Sequence, residues 1–272
     1  MSLNKIALVQ MTSTSNFQSN LESSLSYIKK ARENNAQLIA FPENFLLIGS
    51  KKQYQNLDSI IKINILEVFQ KAAYENTISI LLGSIYEKDE KNSQKLLNSS
   101  FLIDQTGKLL AKYTKIHLFD ISLKEFKYKE TELISPGENI VTCSHAIGKI
   151  GLSICYDIRF PGLYQKLTNK GAEIVFVPAA FTVPTGKAHW LTLLRARAIE
   201  NQVFIAAPAQ FGHHSETRES FGNSVIIDPW GEIIVKADDR EEIIYGDIDL
   251  ARLHDIRKRM PVQEHQVQGI DF

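Results

Sequence analysis

Apolar and polar positions follow two rhythms that take turns along the chain. Short runs rich in Val, Ile and Phe read as buried strands, and stretches with apolar residues every three or four positions read as amphipathic helices. Lys5 to Met11 predicts a first strand, and Asn20 to Asn34 a helix carrying Leu21, Leu25, Ile28 and Ala31 on one face, with Asn34 and Asn35 as stop residues. Ala36 to Pro42 predicts a buried strand, Leu57 to Tyr74 a helix, Ile78 to Tyr86 a strand, and Ser100 to Tyr113 a hairpin turning at Asp104 to Gly107.

The second half predicts the same order. Lys149 to Cys155 reads as a strand, Pro161 to Asn169 as a helix opened by proline, and Ala172 to Val177 as a buried strand. Thr185 is expected to cap a helix that turns Ala188, Leu191, Leu194 and Ala198 inward. Val203 to Phe211 follows as a strand, then Val225 to Ala237 as a hairpin around Asp228 to Gly231, and Leu250 to Met260 as a basic helix. The halves also match in letters: KIALVQM from Lys5 with KIGLSIC from Lys149, AQLIAFPENF from Ala36 with AEIVFVPAAF from Ala172, and FLIDQTGKLLAK with VIIDPWGEIIVK. The repeat predicts two β/α halves packed sheet against sheet with helices outside. No Gly/Ser/Pro-rich linker separates the halves, so residues 1–272 are expected to form a single domain. The tail, about 260–272, has little to bury and is expected to be frayed or ordered by a partner subunit.

Composition narrows the function. Of 272 residues 44% are hydrophobic and 23% charged, enough to bury a large core. Lys plus Arg and Asp plus Glu both number 31, so no net field favours nucleic acid, and a small substrate fits better. No signal peptide and no membrane span is expected, and only Cys143 and Cys155 are present, which points to a reduced, cytoplasmic setting.

The chemistry gathers at strand ends, where sheets of this class hold their ligands. Glu43 follows the strand ending at Phe41 and Pro42, Lys115 follows the Leu109 to Tyr113 strand, and Cys155 closes the strand begun near Lys149. A carboxylate can take a thiol proton while a lysine ammonium balances charge and holds a developing oxyanion, which is acyl-transfer chemistry. The strand-to-turn position of Cys155 leaves the Tyr156 backbone N–H as a second oxyanion donor. Cys143 is read as core. His117, His145 and His189 are read as structural hydrogen-bonding residues, and Arg195 and Arg197 as ties between helix and neighbours. Adjacent His213 and His214 cannot readily share one metal ion, so they are placed in a solvated or substrate-rim loop.

FPENF (Phe41 to Phe45), YTKIHLFD (Tyr113 to Asp120) and GLSICYDIRFP (Gly151 to Pro161) resemble the three signature segments of the nitrilase superfamily of carbon–nitrogen hydrolases. The resemblance implies catalytic Glu43, Lys115 and Cys155, with Glu130 of YKETELISPG as a second active-site carboxylate. It implies an α/β fold, a four-layer αββα sandwich with internal pseudo-twofold symmetry, with no metal or organic cofactor and a homodimer or higher homo-oligomer. Tyr156 and Asp157 after the cysteine are similar to the amidase branches, and AFTVPTGKAHWLTLLRARAIENQ and GHHSETRESFGNSVIIDPWG resemble the Nit branch. The function implied is a cysteine-dependent amidase acting on a small α-keto acid amide of the deaminated glutathione or α-ketoglutaramate type. The lysine-rich loop Leu123 to Lys129 departs from relatives in length and charge. Two alternatives remain: hydrolysis of N-carbamoyl amino acids, or a non-catalytic thiol-based binding module. On this reading Lys115→Ala silences turnover and leaves the fold intact.

Overall fold

The structure is a computed structural model that describes residues 3–122, 127–265 and 267. Two six-stranded sheets organise it. The first runs, edge to edge, Glu242–Ile248, Asn4–Gln10, Leu38–Ala40, Ser79–Lys88, Leu96–Ile103 and Leu109–Thr114. From the corresponding edge the second runs Thr142–His145, Gly148–Leu152, Ile174–Phe176, Phe204–Ala207, Val225–Ile227 and Ile233–Lys236. Each has three parallel strands at its centre, one antiparallel strand on one side and two on the other. The sheets therefore repeat each other strand for strand, and the three pairs of similar segments lie on equivalent strands.

Period-two alternation explains the layers. Ile6 and Leu8 belong to the buried cluster that holds Leu152, Phe176 and Ile205 of the second sheet. Ala7 and Val9 belong instead to the cluster of Leu21 and Ile28 from the Phe17–Glu33 helix and Phe69 and Ala73 from the Ile65–Asn76 helix. On the far side, Leu163 and Leu167 of the Pro161–Asn169 helix and Trp190 and Leu194 of the Val183–Asn201 helix cover the second sheet. The result is helix, sheet, sheet, helix. Burying each large aliphatic side chain contributes roughly 1.5–3 kcal/mol, so the inter-sheet seam fixes the register of both halves.

Local chemistry sets the element ends. Asn16 accepts from the Ser19 N–H and opens the Phe17–Glu33 helix, while Asn35, at φ 61°, turns the chain away after it. The span expected as one helix from Leu57 to Tyr74 is broken: Leu57–Ile60 ends, and Asn64 caps a new helix over Ile65–Asn76 by accepting from Glu67 N–H. The helix expected to start at Thr185 starts at Val183 after Thr182, with a proline in its first turn. Its inward face is Gly186, Trp190, Leu194, Arg197, Ala198 and Asn201, and Ala188 is exposed. Phe221 explains the rotation, because a side chain at Gly186 would sit 2.3 Å from its ring.

The strand expected over Lys149 to Cys155 stops at Leu152, and Cys155 opens a short 3-10 turn, Cys155–Arg159. The Val203 to Phe211 strand is likewise two, Phe204–Ala207 and Phe211–Ser215. Glu242–Ile248, not foreseen as a strand, pairs antiparallel with Asn4–Gln10 and returns the end of the chain to the first sheet. Residues 123–126 of the lysine-rich loop lie outside the described residues, as do residues 266 and 268–272 of the tail. Among the described residues no helix is long and apolar enough to cross a membrane.

Candidate active site

Glu43, Lys115, Glu130 and Cys155 meet in one buried cluster, Glu43 and Cys155 beyond central strands of the two sheets, Lys115 beyond the edge strand of the first and Glu130 after the short strand Lys127–Lys129. Phe41 and Pro42 carry Glu43 past the end of Leu38–Ala40, pressed against the neighbouring strand at Gly83. A Cβ at Gly83 would lie 1.9 Å from the Phe41 carbonyl oxygen, so only glycine allows the approach. Lys115 follows Leu109–Thr114, its N–H donating to the Asn98 carbonyl at 2.9 Å and its own carbonyl accepting from Gly137 N–H at 2.7 Å. Glu130 begins a 3-10 turn and accepts from the Phe119 N–H at 2.7 Å.

Cys155 has φ 48°, the left-handed region that costs an L-residue roughly 1–2 kcal/mol. The surroundings hold it there. Its N–H donates to Pro178 O at 2.9 Å, and the next turn is pinned by Asp157, whose Oδ2 accepts from Ile154 N–H at 2.9 Å and Tyr113 O–H at 2.6 Å. Asp157 Oδ1 accepts from His117 N–H at 3.0 Å and lies 2.7 Å from His117 Nδ1. Tyr113 and His117 sit two residues either side of Lys115, so one buried carboxylate ties the lysine and cysteine segments together. Between Cys155 and Asp157, the Tyr156 N–H makes no backbone hydrogen bond among the described residues.

The lysine ammonium lies 2.8 Å from Glu43 Oε1 and 3.0 and 2.9 Å from the two Glu130 oxygens. Glu43 Oε2 accepts from the Ala180 N–H at 3.0 Å, and Oε1 also accepts from Asn98 Nδ2 at 3.0 Å. Burial pushes the Glu43 carboxyl up, but the Lys115 charge and the hydrogen bonds from Lys115, Cys155 and Asn98 hold it below the usual carboxylate range. Glu130 goes the other way: burial raises it, and the Glu43 charge adds to that against Lys115. Burial alone would lower Lys115, yet the charges of Glu130 and Glu43 hold it well above its ordinary value. Burial, with the Glu43 charge behind it, pushes the Cys155 thiol well up despite Lys115. The resting state is therefore a neutral thiol with an ionised carboxylate and a fixed ammonium around it. Such a set can move a proton from sulfur to carboxylate as sulfur bonds to a carbonyl carbon.

Burial also changes what Lys115 does for the fold. With 2% of its side chain exposed between two carboxylates, it is their only cation among the described residues. Its removal is expected to weaken the fold as well as the chemistry, because two buried carboxylates would lose their counter-charge.

Asn98, the Ala180 N–H, the Phe119 N–H and Arg159 complete the surroundings, and sequence reasoning missed all four. A signal existed for Asn98: Asn98, Ser99 and Ser100 interrupt an otherwise apolar strand, and all three are buried. The Arg159 guanidinium lies 5.5 Å from the ring centres of both Tyr156 and Phe181 and 3.3 Å from His189 Nδ1. Arg195 donates to Gly231 O and Arg197 to Ile158 O, the tying roles expected for them. His145 reaches Ser79, and half-buried Cys143 packs against the core.

His213 and His214 lie on the Phe211–Ser215 strand rather than in a solvated loop, and alternate faces keep them apart. His213 is exposed beside Glu219, whereas His214 is buried between Ser13 O and Ser220 Oγ, each 2.8 Å away. Burial lowers His214 from 6.5 to about 4, so it stays neutral. Stability is full above the unfolded value and is lost as pH falls from 6.5 toward about 4, by about 3 kcal/mol. Melting curves at pH 7 and 4.5 are expected to differ more for wild type than for His214→Gln; equal gaps would refute the assignment. Among the described residues no group of three or more His, Cys, Asp or Glu side chains could hold a metal ion.

An αββα sandwich with a buried thiol, carboxylates and ammonium gathered at strand ends is the arrangement shared with solved nitrilase-superfamily structures. The carbon-nitrogen hydrolase profile matches residues 5–258, and the chain belongs to that family. It is an enzyme that hydrolyses amide C–N bonds. It is 40% identical to the deaminated glutathione amidase of Dictyostelium discoideum, with 97% of this chain and 94% of that protein covered. The NitFhit protein of Caenorhabditis elegans superposes with a TM-score of 0.93 at 35% identity, covering 98% of this chain and 65% of that one. Nit3 of Saccharomyces cerevisiae, a nitrilase-superfamily member, gives 0.87 at 31% identity, covering 98% and 97%.

Proposed function

We propose that this chain removes the terminal amide of a small α-keto acid amide, of the deaminated glutathione or α-ketoglutaramate type, releasing ammonia and a carboxylate. The observation that carries the reading is the buried Cys155 thiol gathered with an ionised, buried Glu43 paired to Lys115, in a chain similar over nearly its full length to a deaminated glutathione amidase. Cys155 Sγ bonds to the amide carbon as its proton passes to Glu43. The carbonyl π pair moves to oxygen, held by Lys115 Nζ and the Tyr156 N–H. The pair returns, the C–N bond breaks, and ammonia leaves with the proton from Glu43. Glu43 then takes a proton from water, whose oxygen attacks the thioester carbon and expels the Cys155 sulfur, which recovers the proton. Glu130 fixes Lys115 from the opposite side and helps to position that water. The half-buried Arg159 cation beside the Tyr156 ring suits a substrate that carries its own carboxylate.

One domain spanning residues 1–272 carries this activity, in the cytoplasm and as at least a dimer. Exposed Trp230 and Met260 line one cleft together with Glu232, Arg252, Asp255 and Arg259, with exposed Ile199 against Gly231 beside it, a mixed apolar and charged surface of the kind a second copy can cover. Light scattering reads the mass. For the activity, ammonia and carbon dioxide are measured over deaminated glutathione, α-ketoglutaramate and N-carbamoyl amino acids, with Cys155→Ala as blank. Ammonia without carbon dioxide from the first two is expected. Carbon dioxide with ammonia from the carbamoyl compounds alone, or no ammonia from any amide, would overturn the reading.

A further inference from the structure

The polar break in the Leu96–Ile103 strand reaches three members of the cluster, Glu43, Lys115 and Glu130. Asn98 accepts the Lys115 N–H on its backbone carbonyl at 2.9 Å, and its side-chain Nδ2 lies 3.0 Å from Glu43 Oε1 and 3.5 Å from Glu130 Oε1. Asn98 is fully buried, and its Oδ1 has no hydrogen-bond partner among the described residues. Turning the amide over would satisfy nothing, because it would set that oxygen against two carboxylates. The orphaned oxygen therefore follows from keeping the donor on the carboxylates, a local rule broken where chemistry is done.

We infer that Asn98 is a positioning residue that holds Glu43 facing the Cys155 thiol and keeps its carboxylate distinct from that of Glu130. The inference rests on the roles proposed above for Glu43 and Cys155. Neither neighbouring serine reaches the carboxylates in this way, since Ser99 Oγ meets Thr114 Oγ1 and the Ser100 hydroxyl is unpartnered among the described residues. A hydrogen bond to an ionised carboxylate favours the ionised form, so losing the Nδ2 donor makes Glu43 harder to ionise. Reactions that need Glu43 as base then begin at higher pH.

The test uses the full chain with Asn98→Leu and Asn98→Ala. Leucine has nearly the shape of asparagine and removes donor and orphaned oxygen together, so its fold is retained. Iodoacetamide alkylation of Cys155 is followed by peptide mass spectrometry across pH, which separates it from Cys143. Ammonia release from the best amide of the panel is measured in parallel. The acid-side midpoint of both rates is expected to move up by about one pH unit, with kcat down roughly tenfold on the acid limb, little changed at pH 7, and KM little changed. A purely structural asparagine would lower the melting temperature and leave the midpoint in place. An unmoved midpoint, or failure of both variants to fold, overturns the inference. A shifted alkylation profile beside a silent amide panel would sink the proposed substrate and spare Asn98.

Discussion

Lys115→Met is expected to abolish ammonia release and to weaken the fold in the same stroke. The ammonium stands 2.8 Å from Glu43 and 2.9 Å from Glu130, with 2% of its side chain exposed. Methionine fills much of the same volume and brings no charge. Two buried carboxylates are then left facing each other, and at least one must take up a proton. Breaking a buried ion pair from one side costs about 3–5 kcal/mol, which for a chain of this size lowers the melting temperature by roughly 10 °C. Once protonated, Glu43 cannot accept the thiol proton. The oxyanion also loses a donor, a further loss of a hundredfold or more. Scanning calorimetry and the ammonia assay on one preparation decide the matter, and a variant melting like wild type with a tenth of its activity would show that Lys115 is neither counter-charge nor oxyanion donor.

Cys155→Ala separates the two effects. The thiol is neutral at rest, so deleting it removes a weak hydrogen bond and a small volume but strands no charge. Alanine at φ 48° bears the same backbone strain as cysteine, and stability is expected to stay within about 1 kcal/mol of wild type. Activity is expected to fall by a factor on the order of 10⁴–10⁶. Intact-mass spectrometry after brief mixing with the best amide of the panel should find the acyl-enzyme in wild type and none in the variant. Turnover above about one part in a thousand would mean that sulfur is not the nucleophile.

Much of this was legible in the letters because it rests on local pattern. The strand before Glu43, the hairpin before Lys115 and the proline-opened helix at Pro161–Asn169 follow from period, turn residues and caps. What escaped depends on contacts that sequence distance hides. Asn98 matters through carboxylates far along the chain, and Ala180 contributes only a backbone N–H, which no letter encodes. The left-handed Cys155 shortened its strand because Pro178, and the Tyr113 and His117 partners that hold Asp157 of its own turn, come from other elements and dictate the turn. His214 reads as a solvated side chain until Ser13 and Ser220 close over it.

The antiparallel pairing of Glu242–Ile248 with Asn4–Gln10 bears on biosynthesis. The Asn4–Gln10 strand leaves the ribosome long before its partner is made, so vectorial synthesis leaves an open sheet edge until residues 242–248 have emerged. A ribosome stalled before residue 242 holds a nascent chain with that edge uncapped, a natural client for chaperones.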